Sequence, residues 1–321
     1  MREWLGNKWA AMPVILILLL LIGLGMHWSS EPDTFGIRKK ENAPSGEIIT
    51  QTLIDVAETL LNKPGGFLSN DVLPPSLFLD NMPSWEFGAL EMTRDLALAM
   101  RKDFSRSQSQ SIDNPQLVIA QPKFNIDHRS WLIPSAESQY QDGIDALTIY
   151  KKALSDSSQG NAQFFTRADN LRDWLKQVEK RLGSLSQKLS ASVGQERMNT
   201  DLAGDAQARQ STPNADEVRI RTSWWKIDNN FYEARGACWA LLHFLKAVEI
   251  DFADVLEKKN ARVSLQQIIR ELEATQQAIW SPVIVNGSGF GVLANHSLVM
   301  ANYISRANAA LIDLTELLTQ G

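Results

Sequence analysis

The sequence predicts an all-α protein: an N-terminal transmembrane helix followed by a soluble multi-helix bundle, built as one or two bundles. Three observations carry that prediction. No charged residue occurs between Ala10 and Ser30, and Val14 to Ile22 is an unbroken aliphatic run. Beyond it, apolar residues recur at helical spacing through most of the chain. Apart from the short run Val283–Val285, no segment alternates convincingly as a strand.

Ala10 to Trp28 is 19 residues. As a helix that is about 28 Å, close to the hydrocarbon thickness of a bilayer. Trp4, Trp9 and Trp28 flank the run, where indole rings favour the membrane interfaces. A cleaved signal peptide is the rival reading, with Arg2 and Lys8 as its basic start and Gly23 and Gly25 before the cut. The run is long for that role, and Gly-Leu-Gly is a poor cleavage site. Arg2 and Lys8 favour a cytoplasmic N-terminus, while Arg38, Lys39 and Lys40 pull the other way. A short tail before a single apolar helix leaves the long body outside. The expected location is therefore a bacterial inner membrane with a periplasmic body, and the lipid bilayer is the first expected partner.

Residues 1–30 thus form the anchor, and residues 31–45 read as a polar tether. A helical subdomain is expected over 46–194. Its first helix, Ser45 to Asn62, carries Ile48, Leu53, Ile54, Ala57 and Leu60 and stops at Pro64-Gly65-Gly66. Residues 67–83 place Leu73, Leu77, Phe78 and Leu79 among Pro74, Pro75 and Pro83, an irregular crossing loop expected to pack on the body. A helix capped by Ser84 runs to about Phe104. Ser105 to Pro122 reads as a loop, and Ser135 caps a helix from Ala136 to Ser155. The most regular helix holds Leu171, Leu175, Val178, Leu182, Leu185 and Leu189 in one seam. That seam covers fewer than three heptads, enough for a helical hairpin and short of proof for a coiled-coil oligomer. Residues 195–220 read as a flexible linker or hairpin tip. A C-terminal helical subdomain over 221–321 follows, with helices near Trp224–Lys259, Ser264–Trp280 and Asn295–Leu318.

Composition narrows the function classes. Hydrophobic residues at 44% exclude a disordered chain, and one cysteine, Cys238, excludes a disulfide scaffold. The net charge is −5, and residues 31–321 alone hold 30 basic and 36 acidic residues. That balance argues against a phosphate-reading nucleic-acid binder.

Tests for chemistry return little. His27, His128, His243 and His296 show no i, i+4 pair and no HExxH, and one cysteine cannot build a zinc cluster. No metal and no cofactor is expected. Cys238 and His243 point about 140° apart on a helix, which disfavours a nucleophile pair. Gly287-Ser-Gly289-Phe-Gly291 lacks both the GxGxxG spacing and a following lysine, so it reads as a tight turn rather than a phosphate loop. Acids such as Asp80, Glu86, Glu233 and Glu249 are plentiful, but no spacing singles out a catalytic pair.

The most distinctive surface lies on the helix after Trp224. Steps of 100° gather Asp228, Tyr232, Arg235, Trp239, His243 and Lys246 on one stripe beside an apolar face. Arg235 and Trp239 stand four apart, which permits a cation–π contact. Tyr232, Arg235, Trp239, His243 and Lys246 are the candidate binding residues, for an anionic lipid or glycan group. The competing reading is an interhelical network closed on itself. Glu249 needs a partner if buried.

Several longer segments carry a family resemblance: Gly65–Pro75 (GGFLSNDVLPP), Asp80–Gly88 (DNMPSWEFG), Arg101–Gln110 (RKDFSRSQSQ), Asn230–Gly236 (NFYEARG), Asp251–Asn260 (DFADVLEKKN) and Asn286–Gly291 with Asn295-His-Ser297. Together they resemble the bacterial family catalogued as domain of unknown function 2333. The resemblance implies a Gram-negative inner-membrane protein with one anchor and supplies no activity, cofactor or catalytic residue. The expectation is a non-enzymatic binding or scaffold module. An envelope protein partner and a homo-oligomer both remain open. An envelope enzyme using distributed carboxylates, or a lipid- or anion-binding module, is the alternative.

Overall fold

The computed structural model describes residues 2–39, 43–107, 112–156, 162–198, 217–281, 283–288 and 292–320. The fold is all-α with one short strand pair. Helix α1 (Arg2–Trp28) contains a single stretch, Ala11–Trp28, long and apolar enough to cross a membrane, with mean hydropathy 2.2. Only 6% of that stretch is buried, so α1 projects from the body instead of filling its core. By length and composition it suits a spanning anchor or a signal sequence.

The body begins with α2 (Glu47–Asn62) and continues through α3 (Asn81–Ala99), which passes into a π-helical turn at Met100–Phe104. The helix expected from Ser84 therefore starts three residues earlier. Pro83 is tolerated there because first-turn N–H groups have no intrahelical acceptor. Part of the expected 105–122 loop is instead α4 (Pro115–Phe124). Asn114 accepts the Gln116 N–H at its start and Pro115 takes the first position, a capping pair that the polar Ser/Gln stretch upstream obscured. Helix α5 (Ala136–Ser155) carries the expected Ser135 cap, which accepts the Ser138 N–H. In α6 (Ala168–Ser190), all six residues of the leucine-rich seam are buried.

Strands β1 (Gln195–Met198) and β2 (Glu217–Ile220) pair antiparallel, with Gln195 opposite Ile220 and Met198 opposite Glu217. They correct the expectation that the only strand-like run was Val283–Val285. Periodicity gave no hint of them, because a four-residue ladder carries too few positions to alternate visibly. The rest of the expected linker, residues 199–216, lies outside the described residues.

The long final helices are α7 (Ile227–Asp251), α8 (Ala253–Lys258), α9 (Arg262–Thr275) and α10 (His296–Thr319). Helix α9 stops five residues before the expected Trp280. Helix α3 lies along α7, α6 along α10, α4 along α5, and α9 bridges α7 and α10. One buried apolar cluster takes residues from Ile48 to Leu318, so the helices on both sides of 195–220 share a core.

Two glycines set the closest crossing. A Cβ on Gly88 would stand 1.9 Å from the Glu233 carbonyl oxygen, and one on Gly236 would stand 1.9 Å from that of Trp85. Backbone meets backbone there, and only glycine leaves the room. Helices α3 and α7 run in the same direction. Asp80 and Ser84 share a cleft with Asn229 and Glu233 at their starts. At their far ends the rings of Phe104 and Phe252 are 5.4 Å apart. Helix α10 also begins at the first end, with His296 6.5 Å from Phe231 between ring centroids.

Candidate functional site

Residues four apart on a helix lie nearly above one another, so Arg235, Trp239 and His243 form a ladder up one side of α7. The tether lies along that ladder. Arg235 Nε donates to Glu31 Oε2 at 2.5 Å, Trp239 Nε1 donates to the Asp33 carbonyl at 3.3 Å, and the Phe35 N–H donates to His243 Nε2 at 3.0 Å. Three successive contacts pin Glu31–Phe35 as an extended strap. Because Nε2 accepts, the imidazole proton sits on Nδ1, which donates to the Trp239 carbonyl at 2.7 Å. The Phe35 ring stacks on His243, centroids 3.8 Å apart, and meets Trp239 edge-on at 5.8 Å. Burial holds the His243 pKa down to about 4, so the ring is neutral and free to accept.

Arg235 has a second task. Its terminal nitrogens donate to the carbonyls of Thr275, Gln277 and Gln276 at 2.8, 2.9 and 3.3 Å. These carbonyls end α9, where a cation complements the helix dipole and satisfies acceptors that have no intrahelical donor. The guanidinium is thus shared between the strap and α9. Lys246, one turn beyond His243, turns to Glu273 on α9 at 2.7 Å. Tyr232 is half-buried below the strap; burial raises its phenol pKa, and the Glu31 carboxylate adds to the rise. Of the five candidate residues, Arg235, Trp239 and His243 therefore converge on the chain's own tether. Glu249 finds the partners it needs in Arg262 and Gln266.

The two ends of the strap are also fixed. At its start, Trp28 rests on the Lys63–Ser69 loop. Gly65, at φ +85, has no room for a side chain, since a Cβ there would stand 2.7 Å from Trp28 Cγ. The loop is held from beneath by Glu86, which is fully buried. Its carboxylate accepts from the Leu68 and Ser69 N–H groups at 2.9 and 2.8 Å and pairs with Lys63 Nζ at 2.6 Å. Burial pushes the Glu86 carboxyl up, and Lys63, the Ser69 hydroxyl and the Leu68 N–H pull it back. Beyond the strap, Asp251 at the end of α7 accepts the Ile49 N–H at 2.8 Å, capping α2 from outside. Burial raises the Asp251 pKa to about 6, against the pull of the backbone N–H groups of Ile49, Gly46 and Ile48.

Two clefts open near the start of α7. The first, about 430 Å³, is bordered by Asp71, Asp80, Phe87, His128, Arg129 and Glu233. Glu233 is paired with Lys188 at 2.7 Å, and burial lowers the His128 pKa. The second, about 380 Å³, runs between Phe231, Ile279, Trp280, His296, Met300 and Tyr303. Asn295 caps α10 by accepting the Leu298 N–H, so the helix start is closed by its own side chain, while Gly289, Phe290 and Gly291 of the expected tight turn lie outside the described residues. Cys238 is a buried free thiol, its pKa pushed up to about 12 by burial. Among the described residues no group of three or more His, Cys, Asp and Glu side chains is placed to hold a metal ion.

Sequence reasoning found the gripping residues but not what they grip. Glu31, Asp33 and Phe35 sit in a segment whose prolines and charges suggest a spacer. Their contacts span more than two hundred residues, beyond the reach of any local periodicity. Phe35, a lone aromatic in a polar tether, was the available signal.

No curated protein and no solved structure matches the chain. A family model described as "Uncharacterized protein conserved in bacteria" matches residues 2–321. The chain therefore belongs to the bacterial family DUF2333.

Proposed function

We propose that this protein is a single-pass, membrane-anchored helical module of the bacterial envelope, with its body on the periplasmic side of the inner membrane. It acts there as a non-enzymatic binding or scaffold protein. The observation behind this reading is the strap. Residues that leave the apolar helix are laid down on α7 contact by contact, so the body follows α1 without slack. A catalytic domain on a leash gains nothing from such a clamp, whereas a scaffold gains a fixed height and orientation. Retention of the full-length chain in membranes after a carbonate wash, together with a C-terminal reporter active only in the periplasm, is the expected result. Release by carbonate refutes the anchor, and a cytoplasmic reporter signal refutes the orientation. Crosslinked membranes that repeatedly yield no envelope partner refute the binding role.

The first cleft supports a second reading, an envelope enzyme acting on glycan or lipid. It brings Asp71, Asp80 and Glu233 around one concavity with His128. Turnover of a cell-wall or lipid substrate abolished by Asp80→Asn, with folding unchanged, would favour this reading over the scaffold.

A further inference from the structure

The apolar side chains that the body leaves in solvent are concentrated at one end. The loop before α3 contacts α1 directly: a groove joins Leu18, Ile22 and Met26 of the anchor to Pro74, Pro75 and Phe78. Leu18 is ten residues before Trp28, about 15 Å along the helix. The loop therefore lies beside the apolar stretch of α1, not above it. Leu73 and Leu77 are exposed, and Phe78 is 76% exposed, although the sequence led us to expect this loop packed on the body.

Three further segments share that end. Asn70 Nδ2 donates to the Ser130 carbonyl at 2.9 Å, setting the Trp131–Ile133 turn beside the loop, with Ile133 101% exposed. Trp224 and Trp225, the latter 78% exposed, precede the first turn of α7, whose Asn229 shares a cleft with Asp80. Trp280, 97% exposed, follows the end of α9, which Arg235 holds while also binding Glu31, three residues after the end of α1. Val292, 104% exposed, and Leu293 lie in the turn leading into α10 at the same end.

Charge follows the same division. Residues 72–79, 130–136, 222–225 and 274–295 contain no Asp, Glu, Lys or Arg. At the far end, residues 253–262 alone contain five: Asp254, Glu257, Lys258, Lys259 and Arg262. The exposed large apolar side chains elsewhere on the body, Ile112, Val118, Ile119, Ile149, Val263 and Ile312, include no tryptophan.

We propose that this end of the body is a lipid-facing collar: the exposed residues Leu73, Leu77, Phe78, Leu132, Ile133, Val292 and Leu293 enter the interfacial layer of the bilayer around the exit of α1, with Trp131, Trp224, Trp225 and Trp280 at headgroup level. Four indoles and several aliphatic side chains left in water on one face is a pattern that marks an interaction surface. Indole rings prefer the boundary between headgroups and acyl chains. The occupant is lipid and not a second protein because the collar is continuous with the apolar surface of α1. Any bilayer that α1 crosses also reaches the Pro74–Phe78 loop. The body carries more acidic than basic residues, so adhesion is apolar and survives high salt. The inference rests on reading α1 as a membrane span.

The test uses the full chain reconstituted in phosphatidylcholine nanodiscs, with a nitroxide spin label at one introduced cysteine. Phe78→Cys, Trp131→Cys, Trp225→Cys and Trp280→Cys report the collar. Leu16→Cys reports the span, and Val263→Cys the far end. Cys238 is buried and stays unlabelled. At the four collar sites, lipid-soluble oxygen relaxes the label more than a water-soluble nickel chelate does, as at Leu16, and the order reverses at Val263. High salt leaves the pattern unchanged. Collar sites that behave like Val263 while Leu16 stays lipid-like overturn the collar and leave the anchor standing. A water-exposed Leu16 overturns the anchor itself. Shielding that appears only in native membranes, and not in pure lipid, overturns the collar in favour of a protein partner.

Discussion

Arg235 Nε and Glu31 Oε2 are 2.5 Å apart across 204 residues of sequence. The pair joins a residue just beyond α1 to α7, the longest helix of the body. The same guanidinium closes the end of α9, so the strap after α1, α7 and α9 meet at one side chain. Removing it loses the strap contact and leaves three carbonyls without their donor. Arg235→Ala is expected to destabilise the detergent-solubilised full chain by about 3 kcal/mol. Glu31→Gln keeps a hydrogen-bond acceptor and is expected to cost about 1 kcal/mol. Chemical denaturation of both variants checks the order; a larger loss for Glu31→Gln contradicts the shared role of Arg235.

The strap is expected to loosen in acid through His243. Its pKa in the fold, about 4, lies below the ordinary 6.5. The unfolded or undocked state therefore binds the proton first, and stability is lost as pH falls from about 6.5 towards 4, at most about 3 kcal/mol. Asp251 works in the opposite sense. Its pKa in the fold is about 6 against an ordinary 3.8, so protonation favours the fold and its ionised form costs stability as pH rises through 6. Global unfolding therefore mixes the two effects, whereas the Phe35 amide reports His243 alone. Its hydrogen-exchange protection factor is expected to fall between pH 6.5 and 4 and to be lost at all pH values in His243→Phe. Asp251→Asn should leave that amide unchanged and flatten the opposing trend in global stability.

The α3–α7 crossing tolerates no side chain. Gly236→Ala or Gly88→Ala forces two backbones apart and is expected to cost about 1–3 kcal/mol or more. Gly23→Ala, with nothing within 4 Å of the added Cβ, is the matched control and is expected to leave the thermal midpoint unchanged.

Beneath Trp28, Lys63 neutralises a carboxylate with no access to water. Lys63→Met leaves that charge alone and is expected to cost about 3–5 kcal/mol at neutral pH, with partial recovery in mild acid as Glu86 takes a proton. Denaturation curves at two pH values check this; a loss independent of pH contradicts it.

What the sequence showed and what it hid divide along physical lines. The chargeless run of α1, the leucine seam of α6 and the Ser135 cap of α5 are local patterns, and each stands where the spacing put it. Helix α4 was hidden because Pro122 and a polar approach masked its Asn114–Pro115 start. The ladder of Arg235, Trp239 and His243 was visible as a stripe on a helical wheel. Its occupant was not, because an extended strap has no period and its partners lie far along the chain. Pro64-Gly65-Gly66 read as a helix stop and is also the seat of Trp28.

The central claim is that the body is clamped to its anchor, and the distance between them tests it most directly. Spin labels at Met26→Cys on α1 and Val263→Cys at the far end of the body, in the full chain in nanodiscs, should give a single narrow distance distribution by pulsed dipolar spectroscopy. The distribution should broaden in the Arg235→Ala, His243→Phe double variant. A distribution already broad in the parent chain, and unchanged by those substitutions, would contradict the clamp and return residues 31–39 to the role of a free tether.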